Sequence, residues 1–388
     1  MRYIVRLIEN KLLRASRAFP ALLVTGPRRA GKTMLLKKLF PKASYYLLED
    51  PDLIDRVKAD ARSFVEEIRP PVILDEIQNV PELLNYVRTR MDQYPRKFGQ
   101  WYFTGSQEAP LMRGVSESMA GRVAVFQLLP FSYEENHTVT MSRGGFPEVL
   151  AKPNSAAIWF RSYIQTYLER DVRGISAIKN LSTFRRFLSI LASRSGSVLN
   201  KTDIASPLGV SVPTLSEWIN ILEITGQIIV VPPFYENFGK RLIKSPKIYF
   251  ADSGLAAYLL GVGIEADLRK STFLGQIFEG FVASEIIKHQ LNNGKRRELY
   301  YFRDQQGLEV DFLVPAGNGR LLALEAKAAR SVKPDMGAPL QKLARAVSRF
   351  KLEKYIVHLN PPHGANQEFH SILPGIKAIP VSEIGSTL

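Results

Sequence analysis

Apolar and polar positions alternate along this chain in three successive styles. In the first, short apolar runs that read as strands, ALLVT (21–25), VILDE (72–76), WYFTG (101–105) and RVAVFQLLP (122–130), are separated by helix-length amphipathic segments. Strand and helix in alternation predict a parallel sheet covered by helices on both faces. The segment 131–155 is rich in turn formers and polar residues and reads as a connector, followed by the helical stretch IWFRSYIQTYLERDV (158–172). The second style starts near residue 181: three short helices (182–196, 201–209, 211–226), then an apolar pair, QIIVVPPFY and PKIYFAD, flanking NFGKRLIKS. Three helices and a two-stranded ribbon predict a winged-helix module. The third style, from about residue 275, runs helix, three strands, helix, strand (α-β-β-β-α-β). The expected boundaries are 1–140, a helical connector over 141–180, 181–270, and 271–388. There is no internal repeat.

At 388 residues, several domains are expected of such a chain. A hydrophobic content of 45% with 23% charged residues is that of an ordinary folded protein and argues against wholesale disorder. No apolar run is long enough to cross a bilayer, and the N-terminal MRYIVRLIENKLLRASRAF reads as an amphipathic helix, not a signal peptide. The expectation is a soluble, cytoplasmic protein with no membrane partner. The absence of cysteine excludes disulfides and thiolate metal sites, and the five histidines show no ligand-like spacing. The net charge of +15 points to a polyanionic partner, DNA ahead of RNA, met mainly through phosphates. Its spread is even, with excesses of +5 over 1–140, +6 over 141–270 and +4 over 271–388, so charge locates no binding face.

The chemistry begins at GPRRAGKT (26–33), a complete G-x-x-x-x-G-K-[ST] match between a strand and a helix. In such a loop Gly26, Pro27, Arg28, Arg29, Ala30 and Gly31 present backbone N–H groups to phosphates, Lys32 pairs with the β- and γ-phosphates, and Thr33 ligates Mg2+. VILDE supplies the second element: Asp75 for the metal, and Glu76 beside it to orient or deprotonate the attacking water. The cofactors expected are therefore ATP and Mg2+. The strand WYFTGSQ ends in Thr104, Ser106 and Gln107, which serve either as a γ-phosphate sensor or as an ordinary polar strand end. Arg113 and Arg122 are either surface arginines or arginine fingers, acting in trans if the protein is a homo-oligomer.

In the middle module the third helix begins with Ser211 as N-cap and contains no Lys or Arg; its exposed candidates are Thr214, Ser216, Glu217 and Asn220, while Glu217 and Glu223 repel phosphates. Sequence readout by that helix is disfavoured. The wing lysines and arginine, Lys240, Arg241, Lys244 and Lys247, are left to track a backbone, and a protein-interaction role stands beside that one. In the third region, strand alternation puts Glu309, Asp311 and Leu313 on one face and Ala323, Glu325 and Lys327 on one face of the next strand. If these strands pair, Asp311 and Glu325 hold a divalent cation together with the Ala326 carbonyl, Lys327 orients or activates water, Glu279 approaches from the preceding helix, and Glu309 stands at the edge.

GPRRAGKT, VILDEIQNVPELL, FTGSQ and MAGRVAVFQLLPFSYEE together resemble a prokaryotic AAA-type P-loop ATPase family in which this domain precedes a C-terminal region of unknown function. The likeness extends through YIQTYLERDV, YFADSGLAAYLLG and the segment LEVDFLV to LEAKAA. It implies ATP binding and hydrolysis and little about the target; Ser106 as sensor and Arg122 as finger are the further residues expected at the nucleotide from the reading above. The last region is similar to the PD-(D/E)xK nuclease superfamily, which would give Glu279, Asp311, Glu325 and Lys327 the catalytic positions, with Val310 where the proline would stand. The fold class expected is thus α/β: an AAA-type parallel-sheet domain, a winged-helix module and a small restriction-endonuclease-like domain. The function expected is Mg-dependent ATP hydrolysis coupled to nucleic-acid-associated C-terminal domains. The competing reading is an ATP-dependent switch or protein scaffold whose nuclease fold is inactive.

Overall fold

The computed structural model describes residues 3–106, 119–168, 181–234, 244–263, 265–347, 349–359 and 371–388. The chain forms two compact units, built mainly of the residues up to Phe131 and of those from Ser132 onward. Gln107, Arg113, Lys240 and Arg241 lie outside the described residues.

The first unit is a five-stranded sheet of β1 (Ala21–Thr25), β2 (Ser44–Leu47), β3 (Val72–Asp75), β4 (Trp101–Gly105) and β5 (Val123–Gln127). All neighbours are parallel, in the order β2-β3-β4-β1-β5. The three central strands are buried throughout because both faces are covered, and they are apolar until their C-terminal ends, where Thr25, Asp75 and Thr104 stand. Ala21, Leu23, Leu74 and Phe103 enter one core and Leu22, Val24, Ile73 and Tyr102 the other, as the two-residue period requires. Insertion of β4 between β1 and β3 puts the ends of three strands side by side at one edge of the sheet. The helix Lys32–Leu39 opens there, directly after the glycine loop.

The N-terminal segment departs from the expected long helix: only Glu9–Ala15 is helical. The Glu9 carboxylate accepts from the Tyr3 hydroxyl at 2.8 Å and the Arg6 N–H at 2.7 Å. Residues 3–6 are thereby held as irregular chain, with a turn at Leu7 and Ile8, rather than continuing the helix backward.

The second unit contains the helices Leu181–Ser193, Lys201–Leu208 and Val212–Ile224 and the antiparallel pair β6 (Ile228–Val231) and β7 (Lys247–Phe250). Phe184, Phe187, Leu215 and Trp218 form its helical core. Ser211 caps the third helix, accepting from the Thr214 N–H at 3.2 Å. The helix Leu274–Asn292 is followed by β8 (Tyr300–Arg303), β9 (Glu309–Pro315), β10 (Arg320–Lys327), the helix Ala338–Ala346, β11 (Lys351–His358), β12 (Ser371–Leu373) and β13 (Ile376–Pro380). These strands make a mixed sheet ordered β12-β13-β11-β10-β9-β8. Hairpin β9–β10 turns on Gly317, Asn318 and Gly319, all at positive φ, and pairs Leu313 with Ala323 and Phe312 with Leu324. That register carries Asp311 opposite Glu325 on one face.

Candidate functional site

Two clusters of polar side chains sit on these scaffolds, one in each unit. The first is built by the loop after β1. Gly26 has φ +133°, and a Cβ there would lie 2.1 Å from the Leu128 carbonyl oxygen, so only glycine fits. Gly31 precedes the helix at φ +98°, turning the chain so that the first helical N–H groups face the loop. Lys32 is buried, and its ammonium donates to the Gly26 and Pro27 carbonyls at 2.9 Å each. Arg28 donates to Glu49 at 2.8 Å and lies 3.9 Å from Glu76. Arg29 and Ala30 complete the loop; the Ala30 carbonyl accepts from Arg6 at 3.1 Å.

Asp75, at the end of β3, is the centre of the cluster. Its two oxygens each accept from the Thr33 hydroxyl at 2.9 Å, and it also accepts from Thr104, at the end of β4. The Thr104 hydroxyl in turn accepts from the Glu76 N–H at 3.0 Å. Hard oxygen donors on adjacent elements beside a lysine are the donor set Mg2+ takes when it is shared with phosphates, so Thr33 and Asp75 fit the metal. Glu76 occupies the left-handed region at φ +59° and hydrogen-bonds to Gln78, which also donates to Ser106 at 3.1 Å. Burial works to raise its pKa, but Lys32, Arg28 and these hydrogen bonds outweigh it, and the carboxyl is held below its ordinary value. Glu76 is therefore ionised at neutral pH, the state a proton acceptor needs.

Two residues of this cluster went unnoticed in the sequence. Tyr45, on the edge strand β2, donates its hydroxyl to Asp75 at 2.7 Å, and burial and that bond raise its pKa. Arg6 is buried and spans the Ala30 and Leu129 carbonyls at 3.1 and 2.9 Å while its guanidinium lies 4.4 Å from the Phe131 ring. Nothing local in the sequence marks either one; each is recruited by a neighbour distant in the chain. Arg122 is a correction to the expected nucleotide-contacting set. It precedes β5, at the end of the sheet opposite the loop, and pairs with Asp92 at 2.7 and 3.1 Å. It makes no approach to the loop of its own chain.

The second cluster lies on the face shared by β9 and β10. Asp311 accepts the Ala326 N–H at 2.9 Å, and Lys327 contacts Glu325 at 2.6 Å. The other Glu325 oxygen is buried without a hydrogen-bond partner. Burial first, then the negative charge of Asp311, pushes the Glu325 pKa up to about 8 against the pull of Lys327. Burial also acts against the charge of Lys327, but Asp311, Glu325 and Glu279 outweigh it and raise its pKa. Asp311, Glu325 and Lys327 line a cleft of about 580 Å3.

The expected three-carboxylate metal set is not brought together. Among the described residues no three His, Cys, Asp or Glu side chains are placed to hold one ion. Glu279 instead accepts from Lys247 at 3.0 Å and from Tyr249, with its pKa pushed up to about 7 by burial and by Asp311. Lys247 is likewise not a wing lysine: it is buried on β7 and reaches Glu309 at 2.6 Å as well as Glu279. Glu309, expected at the edge of the site, is ion-paired with Lys247 and with Arg303 at 3.4 Å. Lys244 is exposed, as are Glu217 and Asn220 on the third helix.

The glycine loop after a parallel strand, with its threonine against an aspartate from a neighbouring strand, defines the first unit as a P-loop NTPase of the AAA type. Residues 18–137 match the family model described as AAA domain. Residues 135–266 and 274–383 match two domains of unknown function, DUF8612 and DUF4143. Uncharacterized proteins of Mycobacterium tuberculosis and Mycobacterium bovis are each 31% identical over 324 residues, covering 82% of this chain and 72% of theirs. The chain belongs to the family of these mycobacterial proteins. Among solved structures, a Walker-type ATPase of Pyrococcus abyssi is 16% identical with a TM-score of 0.42, over 65% of this chain and 94% of its own. The RuvB Holliday junction branch migration motor of Thermotoga maritima is 16% identical with a TM-score of 0.32, over 58% and 89%. At these scores neither likeness bears on function.

Proposed function

We propose that this protein hydrolyses ATP with Mg2+ at the loop 26–33 and uses the turnover to gate a C-terminal unit that engages nucleic acid through its phosphates. The observation that carries the reading is the contact of Thr33 with Asp75 beside the buried Lys32. Lys32 exchanges its two loop carbonyls for phosphate oxygens, and the N–H groups of the loop and helix hold the rest. Bound Mg2+ supplies charge neutralisation across the phosphates. Glu76 takes the proton of the attacking water, Thr104 fixes the Asp75 carboxylate, and Ser106 holds Gln78 against Glu76. Phosphate release from ATP by the full chain tests this. Glu76→Gln is expected to bind ATP but to lose turnover by about 100-fold or more; undiminished turnover would refute the assignment of the base.

The nuclease-like reading of the second unit draws on the cleft of Asp311, Glu325 and Lys327 and on the unpartnered Glu325 oxygen. A second reading, an ATP-dependent switch or scaffold whose C-terminal fold cleaves nothing, is favoured by a specific contact: Lys247 occupies Glu279 and Glu309 as an internal cation. Incubating wild type and Asp311→Ala with DNA and RNA in Mg2+ or Mn2+ separates the two. Cleavage that disappears in the variant supports the nuclease, and equal cleavage in both removes the site. The cytoplasm is the proposed location. A role for Arg122 at the nucleotide belongs to a homo-oligomer, to be sought by sedimentation with and without ATP.

A further inference from the structure

We infer that the P-loop unit carries a cleft for single-stranded nucleic acid between the helices Ala61–Glu67 and Leu83–Gln93. This rests on the nucleic-acid part of the reading above and adds to it a face on the P-loop unit itself. The cleft measures about 440 Å3.

Its chemistry separates into three kinds. Arg90 forms the floor, donating to the Val65 carbonyl and lying 5.8 Å from the Trp101 ring, so it ties the two helices together. Arg62 and Arg88 remain at the walls, Arg62 exposed and Arg88 half-buried. The acids of the same helices are engaged elsewhere, Glu67 with Arg56 and Asp92 with Arg122, which leaves Glu66 as the carboxylate lining the cleft. The local balance is therefore cationic.

Two rings flank these cations and stand open to solvent: Tyr86 is 38% exposed and Tyr94 53% exposed. Lys97 lies 4.8 Å from the Tyr94 ring. Asn85, Thr89 and Gln93 recur every four residues and so share one helix face along the cleft.

Arginines for phosphates, exposed tyrosines for base faces and a row of amide and hydroxyl groups for base edges are the three contacts a single strand offers together. An acidic protein surface would use the arginines and leave the rings and amides idle. A duplex keeps its base faces stacked inside.

Fluorescence anisotropy of the full chain with labelled oligothymidine and with duplex DNA, over a salt series, tests the inference. The single strand is expected to bind more tightly than the duplex. Arg62→Ala with Arg88→Ala should weaken binding by roughly tenfold or more and flatten the log–log salt dependence by about 1.4, two contacts at about 0.7 each. Tyr94→Ala should weaken binding by about tenfold with the salt dependence intact. ATP turnover and thermal melting should match wild type in all variants. Should the double variant melt early, Arg88→Gln alone, with half the change in salt dependence, carries the decision. Wild-type binding that all variants retain would overturn the cleft while leaving a nucleic-acid partner in place. Equal affinity for duplex would overturn the single-strand assignment, and no binding by wild type at low salt would remove the underlying reading as well.

Discussion

Replacing Glu325 by glutamine should make this protein more stable in alkali, and the structure sets both the sign and the size. Glu325 has an ordinary carboxyl value of 4.5 when unfolded and one pushed up to about 8 when folded, because burial and the Asp311 charge disfavour its ionised form. Between those two values the folded chain holds a proton that the unfolded chain has released. A raised native value gives stability that is complete below 4.5 and lost as pH rises to about 8, with no further loss above. The separation of about 3.5 between the two values, at about 1.4 kcal/mol for each unit, places the total loss on the order of 5 kcal/mol. Glu325→Gln removes the ionisation and preserves the shape, so its stability should not fall through this window. Urea denaturation of wild type and variant in the presence of a chelator, from about pH 4 to about pH 9, reads the difference. The two should agree at the acid end and diverge by a few kcal/mol in favour of the variant at the alkaline end. Glu279, with its own value of about 7, is present in both chains. A difference independent of pH, or one that grows toward acid, would refute the assignment of Glu325 as a buried acid strained by Asp311.

Three further outcomes follow from the nucleotide cluster. Gly26→Ala places a Cβ 2.1 Å from the Leu128 carbonyl oxygen at φ +133°. It should cost on the order of 3 kcal/mol in thermal stability and abolish binding of a fluorescent ATP analogue. Tyr45→Phe removes the 2.7 Å bond to Asp75. It should cost about 1 kcal/mol and raise the Mg2+ concentration for half-maximal ATP turnover several-fold; an unchanged Mg2+ titration would deny Tyr45 any part in positioning Asp75. Arg122→Ala breaks a surface pair with Asp92 and should cost less than about 1 kcal/mol. Turnover in dilute protein should stay at the wild-type level, whereas a loss that deepens as protein concentration rises would place Arg122 at the site of a neighbouring copy.

The first unit was legible because its chemistry is local. Eight consecutive residues form the loop, and Asp75 and Glu76 end an apolar strand, so strand, glycine, lysine and acid can be read in order without knowing who neighbours whom. The apolar strands likewise announce a sheet buried on both faces. Their order was not readable: β4 inserts between β1 and β3 and brings Thr104 to the Asp75 carboxylate, while β2 pairs with the other edge of β3 and brings Tyr45 to it. The end of the sheet at which Arg122 stands was hidden for the same reason. Its sequence position beside an apolar strand is compatible with either end of the sheet, and the parallel register assigns it the end away from the loop.

In the second unit, period-two alternation was enough to set Asp311 and Glu325 on one face, since a short Gly-Asn-Gly turn leaves the hairpin little choice of register. What alternation cannot report is which charge from elsewhere fills the space beside them. Lys247 reads as one more basic residue of a wing, yet the packing of β7 against the helix Leu274–Asn292 buries it between Glu279 and Glu309. The sequence by itself thus determined the apolar central strands, the phosphate loop and the face on which the acids gather, because these depend on neighbours a few residues apart, whereas the strands β2, β12 and β13 escaped it. Only the tertiary structure decided which of those acids is paired, which is raised in pKa and which arginine lies out of reach. Those outcomes depend on burial and on charges brought together from distant parts of the chain.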